Sequence, residues 1–151
     1  MEQLTVQSPI GPLTLYAEAG ALVRLSFSED RAAESASPLL QEAQRQLAEY
    51  FAGTRRRFDL PLRPAGTPFR QQVWAALDAI PYGETCTYAQ LAAAIGRPGA
   101  ARAVGMANHC NPLPILIPCH RCIGADGSLV GYAGGLAVKA ALLRLERRAF
   151  L

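Results

Sequence analysis

The stretch Leu62-Arg63-Pro64-Ala65-Gly66-Thr67-Pro68 separates two kinds of hydrophobic pattern, and that division constrains the fold more than any other feature of the chain. Upstream, apolar residues alternate over short segments between glycine-containing turns. Downstream they recur with helical spacing. Alternation puts side chains on one face of a strand, whereas the helical repeat lines one stripe of a cylinder, so the two halves must bury their apolar residues by different means. A hydrophobic content of 50% over 151 residues suffices for a buried core, in one compact domain or two small ones. The linker places the boundary between residues 1–64 and 65–151.

In the first half, Thr5 to Val6, Leu13 to Ala17 and Leu22 to Phe27 read as strands of a small antiparallel sheet, turned at Gly11-Pro12 and Gly20. Pro38 opens a helix that runs to Phe51, with Leu39, Leu40, Ala43, Leu47, Tyr50 and Phe51 on one face and Gly53 as its stop. Phe58 to Leu62 reads as a further strand. In the second half Thr67 caps a helix from Pro68 to Ala79, on which Phe69, Val73, Trp74 and Leu77 share a face, and Pro81-Tyr82-Gly83 ends it. Thr87 caps a short helix from Tyr88 to Ile95, Gly96-Arg97-Pro98-Gly99 makes a tight turn, and another helix spans Ala100 to His109. Two short helices about a glycine-containing turn form a helix-turn-helix pattern, which many proteins carry without touching DNA.

The second helix of that pair begins Gly99-Ala100-Ala101-Arg102-Ala103-Val104-Gly105, small residues around one long cation. Small side chains permit close approach to another backbone, and the lone Arg102 suits either insertion or a salt bridge to a neighbouring element. The cations of the chain are fourteen arginines and a single lysine, Lys139, for a net charge of +3. Arginine favours bidentate phosphate contacts, although the abundance of alanine and leucine fits a general compositional preference equally well. The run Arg55-Arg56-Arg57 reads as a solvated basic turn.

Chemistry concentrates at Ile117-Pro118-Cys119-His120-Arg121-Cys122, which closes the apolar run Leu113-Pro114-Ile115-Leu116-Ile117 and is expected at a strand end. A thiolate or imidazolium among apolar residues needs a partner, and Glu146, on the helical stretch Lys139 to Glu146, is an acid that could orient the histidine. Cys119, His120 and Glu146 then form a candidate nucleophile, base and orienter. In a regular strand Cys119 and His120 point to opposite faces, so a bend or a bridging water is required, and Pro118 is placed to impose one. A buried inert thiol is the plainer alternative. Cys119-His120-Arg121-Cys122 also fits C-x-x-C, but the only further ligand pair is His109-Cys110, which leaves the metal reading weakly supported. Gly131-Tyr132-Ala133-Gly134-Gly135 precedes the last helix; its glycines let backbone lie close to a flat ligand, and Tyr132 offers a ring wall and a hydroxyl.

All four cysteines, Cys86, Cys110, Cys119 and Cys122, lie in the second half, and the N-terminus shows no basic segment followed by an apolar one. No window approaches the length of an uninterrupted apolar span. These features lead us to expect a soluble cytoplasmic protein with free thiols rather than a disulfide framework.

Phe69 to Glu146 resembles the O6-alkylguanine-DNA alkyltransferases, the methylated-DNA–protein-cysteine methyltransferases. The resemblance rests on Pro81-Tyr82-Gly83-Glu84-Thr85, Thr87-Tyr88, Ala101-Arg102-Ala103-Val104-Gly105, Asn111-Pro112, Ile117-Pro118-Cys119-His120-Arg121 and Gly131-Tyr132-Ala133-Gly134-Gly135-Leu136, in that order. The first 64 residues match more loosely, as a variable first domain. The implied fold is α+β: an RNase H-like N-terminal sheet and helix, then a mostly helical domain with a winged helix-turn-helix. The implied activity is stoichiometric transfer of a methyl or other alkyl group from O6 of a guanine flipped out of duplex DNA to Cys119, with O4 of thymine as a further candidate position.

On this resemblance His120 takes the thiol proton through a water, Glu146 orients His120, and Tyr88 donates to the guanine ring. Arg102 resembles the finger that fills the gap left by the extruded base, with Ala101, Ala103 and Gly105 admitting the helix to the minor groove. Asn111 resembles a hinge; backbone groups of Cys119, Cys122 and Ala133 meet the guanine edge; Tyr132 walls the pocket; and Lys139 stands where the family often has lysine. Many members carry serine at the position of Ala133, and an aliphatic residue at that of Cys122. The departure at Cys122 raises the prospect of an oxidant-sensitive Cys119-Cys122 pair. The resemblance implies no metal or cofactor, and a monomer. Two rivals remain: a non-catalytic lesion sensor like the alkyltransferase-like proteins, which lack the cysteine, and a sequence-specific regulator reading DNA through residues 87–109.

Overall fold

Alternation in the first half produces three strands, β1 (Glu2–Val6), β2 (Leu13–Glu18) and β3 (Ala21–Ser26), paired antiparallel in the order β1-β2-β3. The computed structural model describes residues 1–30, 34–35, 37–129, 131–132 and 134–148 of the chain. Leu13, Leu15 and Ala17 of β2 and Leu22 and Leu25 of β3 are buried, as are Leu40, Ala43, Leu47 and Tyr50 of helix α1 (Pro38–Phe51). Each leucine among them contributes roughly 1.5–3 kcal/mol on leaving water. Ser37 caps α1 by accepting from Leu40 N, and Gly53, at φ +80°, takes the left-handed turn that stops it.

The strand expected over 58–62 does not form as such. Gln46 of α1, almost fully buried, donates to Asp59 O (3.0 Å) and accepts from Asp59 N (2.8 Å), so a helix side chain occupies the backbone groups a neighbouring strand would use. Pro61 has no N–H to offer, and pairing reduces to a single bridge between Leu62 and Leu22.

Contacts between residues divide the chain into two units, Met1–Ala65 and Gly66–Leu151. The second unit is built from α2 (Pro68–Asp78), α3 (Tyr88–Ala94), α4 (Ala101–His109) and α5 (Leu136–Arg148), with a short parallel pair, β4 (Cys86–Thr87) and β5 (Cys122–Ile123). Thr67 accepts from Arg70 N at the start of α2, and Thr87 and Gln90 form a reciprocal capping box on α3. A β-carbon on Gly66 would lie 2.4 Å from the Trp74 ring, which explains a glycine where this unit begins. Trp74 in turn donates through Nε1 to Ala107 O (2.9 Å), fixing α4 against α2. Among the described residues no helix is long and apolar enough to cross a membrane.

The apolar run 113–117 is also not a strand. Its side chains are buried, but the backbone turns: Ile117 N donates to Leu113 O (2.8 Å), and Ile115 sits at φ +73°. A β-branched residue in the left-handed region costs of order 1–3 kcal/mol, so the surrounding contacts must hold it there.

Candidate active site

The turn continues into the reactive segment. Pro118 (φ −79°, ψ 64°) forms an inverse γ-turn closed by Cys119 N donating to Ile117 O (2.7 Å), and Cys119–Arg121 make one turn of 3-10 helix before β5 begins. The cysteine and histidine therefore lie on a coiled backbone ahead of a strand, not at the end of one. This corrects the expected placement and supplies the bend that an extended segment lacked.

Asn111, just beyond α4, braces the turn from both sides, donating through Nδ2 to Ile117 O (2.9 Å) and accepting at Oδ1 from Leu113 N (3.0 Å). Asn108 donates to Cys119 O (3.4 Å). These hydrogen bonds join Asn111, and Asn108 of α4, to the turn that leads into and includes Cys119.

Behind the thiol lies a closed polar cluster. His120 is fully buried, and its Nε2 meets Glu146 Oε2 of α5 at 2.6 Å. Arg121 forks onto the same carboxylate, Nε to Oε1 at 2.8 Å and Nη2 to Oε2 at 3.1 Å, and gives Nη1 to Ile80 O (2.7 Å). Its guanidinium also lies over the Tyr82 ring, 5.6 Å from the centroid. Burial pushes the Glu146 carboxyl up, but His120 and Arg121 outweigh it and bring it down to about 2. Burial holds the imidazole of His120 below its ordinary value, against the pull of Glu146.

Burial likewise raises the Cys119 thiol to about 11, with Asn111 and Lys139 drawing it partly back. The resting centre is a protonated thiol, a neutral imidazole and an ionised carboxylate whose charge Arg121 balances. With Nε2 on the carboxylate, His120 Nδ1 is buried without a hydrogen-bond partner among the described residues, and it is the one imidazole atom able to receive a proton.

Tyr88, the first residue of α3, is half-buried. Its phenol is pushed up to about 12 by burial first and by Cys122 and Cys119 next, while Asn108 hydrogen-bonds it. Tyr132 is buried, and its phenol is raised far by burial and by the nearby Cys119 and Glu146. Lys139 of α5, fully buried, donates from Nζ to Cys122 O (2.7 Å). The fold thus gathers Cys119, His120, Glu146, Tyr88, Asn111, Cys122, Tyr132 and Lys139; Ala133 lies outside the described residues.

The α4 residues stand apart from this group. Arg102 and Ala103 are exposed, Ala101 and Gly105 are half-buried, and Val104, Ala107 and Asn108 face inward. Arg102 forms no ion pair among the described residues. A β-carbon on Gly105 would meet only the Tyr88 ring, at 3.9 Å, an ordinary contact, so the protein's own packing does not demand a glycine there.

Sequence reasoning gave no role to Arg121 or Asn108. The signal for Arg121 was present, since an arginine inside a buried segment needs a carboxylate. For Asn108 there was none, because a polar residue late in a helix reads as solvent-facing.

Known proteins resemble this chain over most of its length. Residues 68–148 match the family model described as 6-O-methylguanine DNA methyltransferase, DNA binding domain, and residues 3–64 match the ribonuclease-like domain of the same name. The constitutive methylated-DNA--protein-cysteine methyltransferase of Bacillus subtilis is 47% identical, over 95% of this chain and 93% of its own. The protein of the same name from Methanosarcina barkeri is 48% identical, over 93% and 94%. The crystal structure of Mycobacterium tuberculosis OGT in complex with DNA superposes with a TM-score of 0.91 at 49% identity, covering 99% of this chain and 94% of that one.

Proposed function

The chain belongs to the 6-O-methylguanine DNA methyltransferase family, and on that premise we propose that it repairs DNA by direct reversal, moving a methyl or larger alkyl group from O6 of guanine to its own Cys119. The observation that carries the reading is the buried Cys119, protonated at rest, beside a histidine whose one free nitrogen is a proton acceptor. Such a thiol is protected from adventitious electrophiles and becomes nucleophilic only when its proton has somewhere to go.

In the reaction, Cys119 Sγ attacks the alkyl carbon, the carbon–O6 bond breaks, and its electron pair passes into the purine. The thiol proton moves through a water to His120 Nδ1. Glu146, ionised down to about pH 2, stabilises the imidazolium that results. Tyr88 keeps its proton through the neutral range and donates a hydrogen bond to the leaving purine. The purine anion then takes up a proton and His120 releases one, so the net exchange is a thiol proton for an alkyl group. A thioether has no good route back to a thiol, and each molecule acts once.

Duplex DNA is the partner, entered through the minor groove by α4, with Arg102 in the space the extruded guanine leaves. The exposed Arg102, the small Ala101 and Ala103, and Gly105, where the protein's own packing does not require a glycine, support that docking. Asn111, Cys122, Tyr132 and Lys139 surround the guanine. The first unit is an accessory domain and the second carries DNA binding and alkyl acceptance, in a monomer that works in the cytoplasm. A lesion sensor would need neither the thiol nor its proton acceptor.

Reaction with O6-benzylguanine as a free base tests the chemistry apart from docking. The expected result is one benzyl group per molecule on Cys119, none on Cys119→Ser, and a loss of rate in His120→Gln. Unmodified Cys119 after exposure to both the free base and alkylated duplex would refute the reading.

A further inference from the structure

The sequence spacing suggests Cys119 as the partner of Cys122, but the fold gives Cys122 another neighbour. β4 and β5 run parallel with Cys86 and Cys122 as direct register partners. Adjacent strands lie about 4.8 Å apart, inside the roughly 4.4–6.8 Å that a disulfide spans between α-carbons. As register partners on adjacent strands, the two residues project their side chains to the same side of the pair. Neither thiol takes part in alkyl transfer as described above, where Cys122 meets the guanine through its backbone alone.

Their surroundings differ. Cys122 is fully buried, whereas Cys86 is half-buried and lines an open cleft with Ala79, Ile80, Glu84, Thr85 and Leu91. The hydrogen bond from Cys122 lowers the Cys86 thiol, against the effect of burial. The Cys122 thiol is pushed far up, first by Cys86 and then by burial, while Lys139 draws it down. A partly exposed thiol whose acidity is raised by a second thiol against it is the arrangement found where oxidation is selective.

We propose that Cys86 and Cys122 form a redox modification site, a thiol pair that hydrogen peroxide converts to a disulfide while leaving Cys119 as the alkyl acceptor. Cys86 sulfur attacks peroxide, the O–O bond breaks, and water leaves a sulfenic acid on Cys86. That step consumes the neighbouring thiol that most strongly holds the proton on Cys122. Cys122 sulfur then attacks the sulfenic sulfur, the S–O bond breaks, and a second water departs. Two thiols lose two hydrogens and one peroxide becomes two waters. The bond joins partners already in register and requires no movement of the Cys119–Arg121 turn. Cys119, buried and with its thiol near 11, is the slower target.

The test is exposure of the full chain to a small excess of hydrogen peroxide, followed by intact mass and peptide mapping without reduction. The expected result is loss of two hydrogens and a cross-linked peptide joining Cys86 to Cys122, in the native protein and in Cys119→Ser alike. Cys86→Ser should retain its full mass, and the oxidised native protein should still accept a benzyl group from O6-benzylguanine to the same stoichiometry as reduced protein. A link from Cys119 or Cys110 to Cys122, oxygen addition without a link, or no change in mass would each overturn the proposal. Since the disulfide is read in Cys119→Ser as well, its absence is distinguishable from a failure of alkyl transfer.

Discussion

The two units bury polar side chains in opposite ways. Among the described residues of Met1–Ala65 these are Thr14 and Gln46, both neutral and both engaged with backbone: Thr14 donates to Ser28 O (2.7 Å), and Gln46 brackets Asp59. In Gly66–Leu151 they are Asn108, Asn111, His120, Arg121, Lys139 and Glu146. A neutral amide satisfied by backbone joins segments at little cost, whereas burying a charge costs several kcal/mol before its partner offsets it. The first unit is organised to hold together. The second accepts unfavourable burial to keep a thiol, an imidazole and a carboxylate in fixed protonation states.

Removing one charge should break that difference most visibly. Glu146→Ala leaves Arg121 buried without its carboxylate and His120 without its orienter. It should lower the alkyl-transfer rate by about 10²–10⁴-fold and stability by roughly 3–5 kcal/mol, measured by single-turnover kinetics and urea unfolding. A variant that keeps its rate would show that the ion cluster is structural only.

Acid should discriminate between the units next. His120 is held below its ordinary 6.5, so the unfolded chain binds a proton there that the folded chain refuses. Its contribution to stability is complete above that value and is lost as pH falls through the folded one. Glu146 is lowered from 4.5 to about 2, and its contribution, present above 4.5, fades as pH falls toward 2. Glu42 in the first unit is also lowered to about 2, by hydrogen bonds from Arg45 and Gln46, but it lies in the open and salt screens it. In high salt the acid limb of melting temperature against pH should therefore belong to the second unit, and should flatten in the His120→Gln, Glu146→Gln double variant. An unchanged limb would contradict the assignment.

The smallest effect should come from the neutral side of the comparison. Gln46→Leu, similar in volume, orphans the N–H and C=O of Asp59 and should cost about 1–3 kcal/mol, with alkyl transfer by folded molecules unaltered. A rate that falls with stability would show that the two units do not divide the work as described.

Local patterns were legible in the sequence where a single element decided them. Helix α1 begins at Pro38 and ends at Phe51 as its opening proline, apolar stripe and glycine stop indicate, because those signals act within the helix itself. The segments 58–62 and 113–117 misled for the same physical reason: apolar, β-branched or proline-bearing stretches read as strands, yet strands need backbone partners, and here Gln46 and Asn111 bind that backbone instead. At the candidate site the thiol, imidazole and carboxylate could be named from their chemistry. What could not be seen was that Arg121 shares the carboxylate with His120, or that Cys122 sits beside Cys86, since both depend on pairing between segments distant in the chain.

The central claim is that Cys119 is a reactant consumed once, with its proton passed to His120. Incubating the native protein with excess O6-methylguanine duplex and following both intact mass and demethylated DNA tests it most directly. Each molecule should gain one methyl group, mapped to Cys119, and repair one lesion, while Cys119→Ser should gain none. Repair beyond one equivalent, methyl on another residue, or tight binding of the lesion with no mass change would contradict it.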